Sequence, residues 1–537
     1  MIGHPVPEGG FRRPRRRAAV SVMRMLLKLG AKLLAGLISS GLVPLAAAEA
    51  VPPTVCSQER LQETLGPGVK VETVAKVGVS GTRSAYCSVT GYIKRDGRIG
   101  FTLGLPEQWN RKFLFVGIGG FAGKAAPLDT GLARGYATAS TDTGHTGLAT
   151  QAEWALGAPA AVRNHFEVAV EMAAVTMQQA TAAYYGAVPD HAYFDGCSGG
   201  GRQGLVEAQR FPDAFDGVIS GAPAWSYTKL MTQFLQITQF IRQAPQSRIP
   251  PEVFGAIDRE VLRQCDQADG VADGIIMDPA ACRADLRKLL CRPNATAASC
   301  LTAAQLTVVE RLTRPNHAQP GSGFHGIFLT GTDGRDLGWY PWYFGPPPAV
   351  PGLDLPADQS IAAQLAIEFI RDMVMNDLEY DWTSFTIAKD SATIDRVLGD
   401  LPNADDTNMS VFFRRGGKLL LWHGWADPGI PPGMSIELYE RIRRDTKGPL
   451  AEPVDTSVKL FMVPGMQHCA TGSGLTDFDR LSALEAWVER GETPETILAT
   501  QRVDGRPART RPLCPYPRVA RFKGNGNPDE ASSFECR

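Results

Sequence analysis

"HAYFDGCSGGGRQGL", residues 191–205, decides the fold. A short apolar run reaches Gly196, turns around Ser198, and continues into glycine-rich sequence of helical character. A strand feeding a helix through G-x-S-x-G, here Gly196 to Gly200, matches the nucleophile elbow, in which a strained turn lifts a serine hydroxyl clear of the sheet. Cys197 stands directly against that serine, and a thiol in that place needs its own explanation.

Outward from the elbow the pattern alternates. Strand-like runs at "YCSVTGYIKRDGRIGFTLGLP" (86–106) and "KFLFVGIGG" (112–120) precede a helix-like stretch, "FEVAVEMAAVTMQQATAAYYG" (166–186), and "FDGVISGAP" (215–223) follows the elbow. Strands alternating with helices predict a parallel sheet covered on both faces. From about Trp225 to Thr407 the pattern breaks into helical pieces rich in Pro, Gly and aromatics. Strands return at "GGKLLLWHGWAD" (416–427) and "SVKLFMVPGMQHC" (457–469). At 537 residues the chain is too long for one ordinary domain. The expected organisation is an α/β core over 49–223 and 408–537, with a lid inserted at 224–407. The last segment, "ARTRPLCPYPRVARFKGNGNPDEASSFEC" (508–536), lacks periodicity and is expected to wrap the core, tied by a disulfide.

A serine is a weak nucleophile until a base stands within hydrogen-bond reach and a third group orients that base. His468, in "VPGMQHC", lies in a loop just past the apolar run "KLFMV", and Asp427, in "WHGWADPGIPP", likewise follows a strand. The order Ser198, Asp427, His468 is the one an α/β-hydrolase fold requires. Taken singly each residue has a plainer reading: Asp427 before proline initiates turns, and His423 competes for the part of base. Two backbone donors should hold the oxyanion. One is the Gly199 N–H. The other falls in "FVGIGGFAG" (115–123), where Gly117 and Gly119 flank Ile118.

The first fifty residues differ from the rest. A basic start, an apolar stretch to Leu45 and Ala46-Ala47-Ala48 match a secretory signal over 1–48, whose compact form begins at Met23. A membrane anchor is the alternative, opposed by Lys28, Lys32 and Pro44 in the apolar run. The arginine cluster also suits twin-arginine export. Without 1–48 the chain carries 47 basic and 55 acidic residues, a net charge of −8. Such a body is a poor partner for nucleic acid.

Ten cysteines, an even number and without zinc-type C-x-x-C spacing, favour disulfides in a secreted or periplasmic protein. Neighbours pair as Cys56–Cys87, Cys265–Cys282, Cys291–Cys300 and Cys514–Cys536. Cys197 and Cys469 remain, one beside the proposed nucleophile and one beside the proposed base. A bridge between them needs Cα atoms within roughly 7 Å, so bridge and triad imply each other. The thiol of the elbow is then a staple.

In "CDQADGVADGIIMDPAAC" (265–282), Asp266, Asp269 and Asp273 recur with glycines between. Hard oxygen ligands on a tight loop suit calcium, with carbonyls such as those of Val271 and Ile275, although the spacing is not that of an EF-hand. A solvated acidic turn is the equal alternative on these residues alone.

Together, G-C-S-x-G-G around Ser198, "VGIGGFAG", C-D-x-x-D-G-x-x-D-G, "HGWAD", "VPGMQHC" and "RTRPLCPYP" resemble the tannase and feruloyl esterase family over nearly the whole chain after the leader. The resemblance implies a secreted α/β hydrolase with a large lid, a Ser198-Asp427-His468 triad and the Cys197–Cys469 bridge. It also implies structural calcium on Asp266, Asp269, Asp273 and the carbonyls of Val271 and Ile275. The implied substrate is a small aromatic ester. In "GWYPWYFG" (338–345), Trp339, Tyr340, Trp342, Tyr343 and Phe344 are candidate walls for its acyl group. The family's terephthalate monoester hydrolase carries a lid arginine and a glutamate after its nucleophile. Here "PGLDLPADQSIAAQLAIEF" (351–369) has no arginine, Arg371 comes later, and Gly199 follows Ser198. Both departures favour esters of phenolic acids, feruloyl or galloyl. A peptidase or lactonase on the same triad, and a binding protein that has lost catalysis, are the rival classes.

Overall fold

Nine strands build one mixed sheet in the computed structural model, which describes residues 55–314, 325–332, 337–345, 359–447 and 453–537. The predicted leader, 1–48, lies outside the described residues. The strands are β1 (Val69–Val77), β2 (Tyr86–Lys94), β3 (Arg98–Pro106), β4 (Lys112–Val116), β5 (Ala137–Thr141), β6 (His191–Cys197), β7 (Gly217–Gly221), β8 (Lys418–Gly424) and β9 (Val458–Val463). Their order across the sheet is β1-β2-β3-β5-β4-β6-β7-β8-β9. β1 to β3 form an antiparallel meander joined antiparallel to β5, and every pairing from β5 through β9 is parallel.

Local sequence explains the two halves. In β2 buried residues alternate with less buried ones, as a strand with one covered face requires. The central strands are covered on both faces, so they read as unbroken apolar runs: "FLF" in β4, "LLLW" in β8 and "LFMV" in β9. β5, "ATAST", is fully buried too, and its small side chains leave room for its neighbours. Helix Ala169–Tyr185 ends at Gly186 in the left-handed region at φ 67°, the usual place for a glycine stop.

The sheet is interrupted once. Between β7 and β8, the described residues of 222–417 add no strand to it. Their described parts are mainly helical: Tyr227–Gln243, Pro251–Cys265, Ala303–Thr313, Ile361–Glu368 and Ile387–Leu398. The boundaries at 224 and 407 expected for a lid both fall inside this span. Helix Ala303–Thr313 opens with a capping box, in which Thr302 and Gln305 exchange side-chain and backbone hydrogen bonds.

The tail, tied by the expected Cys514–Cys536 bridge, contains regular strands. It builds a three-stranded antiparallel sheet from Asp477–Phe478, Ile497–Val503 and Arg506–Leu513, and a two-stranded one from Ala520–Phe522 and Phe534–Cys536. The strand "RPARTRPL" carries no alternation signal, because Arg511 is itself buried. Its guanidinium lies 4.0 Å from the Phe534 ring and bonds Asp273 of the acidic loop. All five disulfides pair as the spacings suggested.

Candidate active site

Ser198 sits between β6 and helix Gly199–Arg210 at φ 64°, ψ −123°, a conformation that side chains rarely adopt. Its N–H donates to the Gly221 carbonyl at 3.0 Å, and its own carbonyl accepts from Ala224 at 3.2 Å. The surrounding glycines have a steric reason. A methyl group built on Gly196 would sit 2.6 Å from the Gly200 carbonyl, and one on Gly201 2.3 Å from the Gly221 oxygen. One on Gly199 would lie 3.0 Å from the Gly120 nitrogen. Side chains would therefore force the elbow away from the sheet end and from the loop after β4.

That loop faces the serine. A methyl built on Gly119 would be 4.0 Å from Ser198 Oγ, so the Gly119–Gly120 peptide lies over the Ser198–Gly199 pair. The Ile118 N–H, by contrast, is already taken: it donates to the buried Gln203 Oε1 at 3.0 Å. The Ile118 N–H expected to face the oxyanion is thus engaged by Gln203, and the Gly119–Gly120 backbone is what lies beside Ser198. Gln203, five residues along the elbow helix, carries no motif that would have announced this grip.

On the opposite side stand the ends of β8 and β9. A methyl on Gly424 would strike the Met466 and Gln467 carbonyls at 2.3 and 2.6 Å, so the two strand ends pack backbone to backbone. Asp427 is buried there in a tight turn. Its Oδ1 accepts from the Gly429 and Ile430 N–H groups at 2.8 and 2.9 Å. Oδ2 accepts from His468 Nδ1 at 2.7 Å and from His423 Nε2 at 3.1 Å. Burial by itself would raise the Asp427 pKa. The facing His468 and the bonds from both histidines outweigh it and hold the carboxylate well below its ordinary range.

The two histidines divide clearly. His423 is fully buried, with Nδ1 on Ser435 Oγ at 2.7 Å and Nε2 shared between Asp427 and the Ile430 carbonyl. Both nitrogens are engaged, so it supports Asp427 from behind. His468 is partly open and keeps Nε2 free of Asp427. Cys469 after it has φ 67°, and its bridge to Cys197 spans a Cα–Cα distance of 5.9 Å. Ser198 and His468 are thus each one residue from the same covalent tie. Of the predicted acyl walls, Trp342 meets the His468 ring edge-on at 5.2 Å, and Tyr343 donates to the Pro428 carbonyl at 2.6 Å. Trp339 and Phe344 are buried and Tyr340 is half-buried.

The acidic loop carries its own electrostatic load. Asp269 is pushed up to about 6, first by burial and, against the Val271 N–H, by facing Asp273 and Asp266. Asp266 accepts from the Gly274 N–H and Asp273 from the Ile275 N–H, while Asp273 also bonds Arg511. Among the described residues no three acidic, His or Cys side chains are gathered in metal-holding geometry. In kind the donors fit a hard cation, whose charge would relieve this repulsion.

Comparison with known proteins agrees with the geometry. The family described as "Tannase and feruloyl esterase" matches residues 87–537. An uncharacterized esterase of Xanthomonas campestris is 35% identical over 499 residues, covering 84% of each chain. The mono(2-hydroxyethyl) terephthalate hydrolase of Piscinibacter sakaiensis is 30% identical over 521 residues, again covering 84% of each. The crystal structure of feruloyl esterase B from Aspergillus oryzae superposes with a TM-score of 0.78 at 25% identity, covering 90% of this chain and all of that one.

Proposed function

The chain belongs to the tannase and feruloyl esterase family and is a carboxylic ester hydrolase, and from that premise we propose that it is exported and splits esters of phenolic acids through an acyl-enzyme on Ser198. The observation that carries this reading is the His468–Asp427 bond, held beside Ser198 by the Cys197–Cys469 bridge. With Nδ1–H committed to Asp427, His468 presents Nε2 to the serine. Ser198 Oγ attacks the ester carbonyl as its proton passes to Nε2. The oxyanion lies against the N–H of Gly199 and of the Gly119–Gly120 segment. His468 returns the proton to the departing alcohol. Water, deprotonated by the same nitrogen, then releases the acid and restores the serine.

Export is supported by the five disulfides, and among the described residues no helix is long and apolar enough to cross a membrane. The preference for phenolic over terephthalate esters is supported by Arg371. That guanidinium is bound to Asp372 and Glu368, so it is committed to its own helix. Calcium would be held by Asp266, Asp269 and Asp273 with the carbonyls of Val271 and Ile275. When bound it supplies positive charge to a loop whose carboxylates repel one another.

Purified protein should release acid from methyl ferulate or methyl gallate faster than from mono(2-hydroxyethyl) terephthalate, and Ser198→Ala should release none. Hydrolysis of matched amides, or failure of a phosphonate to label Ser198, would overturn the reading.

A further inference from the structure

The loop that carries the second oxyanion donor is itself held by a chain of buried and half-buried side chains outside the triad. Its three shortest ties to the segment after β5 are these. Phe121 N–H donates to the Ala149 carbonyl at 2.7 Å, Gly123 N–H to the Gly147 carbonyl at 3.0 Å, and the Phe121 carbonyl is met by His145 Nε2 at 2.8 Å. Thr143 Oγ1 adds a longer side-chain bond to the Ala122 carbonyl at 3.5 Å, and the short side-chain tie is the third. It lies one residue from Gly120, whose φ of 56° places it in the left-handed region, tight against the Ala149 carbonyl.

A carbonyl can only accept, so His145 Nε2 must carry the proton. Burial pushes His145 down to about 4, against backbone hydrogen bonds that favour the charged ring, so the imidazole is neutral at working pH. Its Nδ1 is then an acceptor, facing Thr143 Oγ1 at 3.4 Å, and that hydroxyl faces His165 Nδ1 at 3.0 Å. One direction satisfies all three links, with the single Thr143 proton turned to His145 in place of the longer Ala122 contact: His165 Nδ1–H to Thr143, Thr143 O–H to His145, His145 Nε2–H to Phe121. His165, fully buried and held well below its ordinary value by burial and by the nearby Arg202 charge, is neutral as well. Trp154 stacks on the His145 ring at 3.7 Å and 18°, fixing its plane. Thr143 itself has φ 59°. That is a costly conformation for a β-branched residue and is kept only where the surroundings enforce it.

We infer that His145, oriented by Thr143 and His165, is a positioning residue of the esterase: it holds the Phe121 carbonyl so that the Gly119–Gly120 backbone keeps its place over Ser198. The inference rests on the proposed ester hydrolysis at Ser198. His145 touches neither substrate nor the reacting atoms. It acts through the loop, so its loss should appear in the transition state and not in substrate binding.

The test replaces His145 in the full exported chain. His145→Phe keeps the ring and its stack on Trp154 but removes the donor. His145→Gln returns an N–H near the Nε2 position. His145→Phe should lower kcat on the best phenolic ester by roughly 10- to 100-fold, since loss of a whole oxyanion donor costs about 100- to 1,000-fold. KM should stay within about threefold, and His145→Gln should recover most of kcat. Thr143→Val, which deletes only the hydroxyl, should give a smaller fall in the same direction. It carries the test alone if His145→Phe does not fold. A kcat within threefold of the parent in the folded variants would overturn the inference, as would a loss that His145→Gln does not repair. Ser198→Ala separates the two readings: if it retains activity the ester mechanism fails, and if it alone is inactive only the role of His145 falls.

Discussion

Removing the Cys197–Cys469 bridge, as Cys197→Ala/Cys469→Ala, tests the staple in both stability and catalysis. The cysteines are 272 residues apart. In the chain-entropy account a closed loop of that length withdraws about 5–6 kcal/mol from the unfolded state at 25 °C. Two further bridges, with separations of 17 and 9, lie inside the loop and shorten it too little to matter in a logarithm. Native bridges commonly return about 2–5 kcal/mol, and that is the loss expected in urea unfolding. Catalysis should suffer separately. Ser198 and His468 are each one residue from the bridge, and misplacement by about 1 Å costs roughly 100-fold in rate, so kcat should fall by that order with KM little changed. A second variant, Cys197→Ala/Cys469→Gly, separates tether from backbone. Glycine adopts the left-handed conformation of residue 469 freely, which should restore about 1 kcal/mol of stability but not kcat. Full recovery of kcat in the glycine variant would refute the staple, as would an alanine variant matching the parent in both readouts.

Asp427→Asn should cut kcat by about 10,000-fold, because an amide holds the wrong imidazole tautomer. His423→Leu should cost far less than His468→Ala, and steady-state kinetics of the three will rank the histidines. Chelation with EDTA should lower the thermal midpoint, and added calcium should restore it; a midpoint indifferent to both would remove the metal from the acidic loop. Glu368 is raised, first by burial and then by its bond to Asp372, against the Ala152 N–H and Arg371. The folded state therefore holds a proton that the unfolded chain releases above about 4.3. Stability from this group is greatest below that value and is lost as pH rises towards the folded value. Urea unfolding at pH 5 and pH 8 should show the fall, and Glu368→Gln should reduce it.

The legible parts of the chain were those where one residue type does one local job. The elbow glycines, the apolar runs of β4, β8 and β9, and the four short-range disulfides are of this kind. What escaped depends on partners far along the chain. What sets His423 apart from His468, already read as the base, is its bond to Ser435, which no local pattern announces. Ile118 reads as a free donor until Gln203 arrives from the elbow helix. The tail strand Arg506–Leu513 reads as irregular because its stability comes from a buried arginine between Asp273 and Phe534, a pairing that periodicity cannot register.

A common cause underlies these cases. The proposed nucleophile and oxyanion donors sit where backbone presses on backbone, with Gly199 against Gly120 and Gly200 against Gly117 and Ile118. Contacts that close leave no side chain at the reacting centre to adjust the geometry. Accuracy has to come from whatever holds the segments from outside. Gln203 grips the loop from the elbow helix, His145 grips it from the segment after β5, and the disulfide grips the base from β6. These residues therefore belong to the same mechanical problem as the triad, although none of them takes part in bond making. Strain at Ser198, Cys469 and Thr143, all at positive φ, marks where those holds converge. Each such conformation costs of order 1–3 kcal/mol for a non-glycine residue and persists only where its surroundings over-determine it.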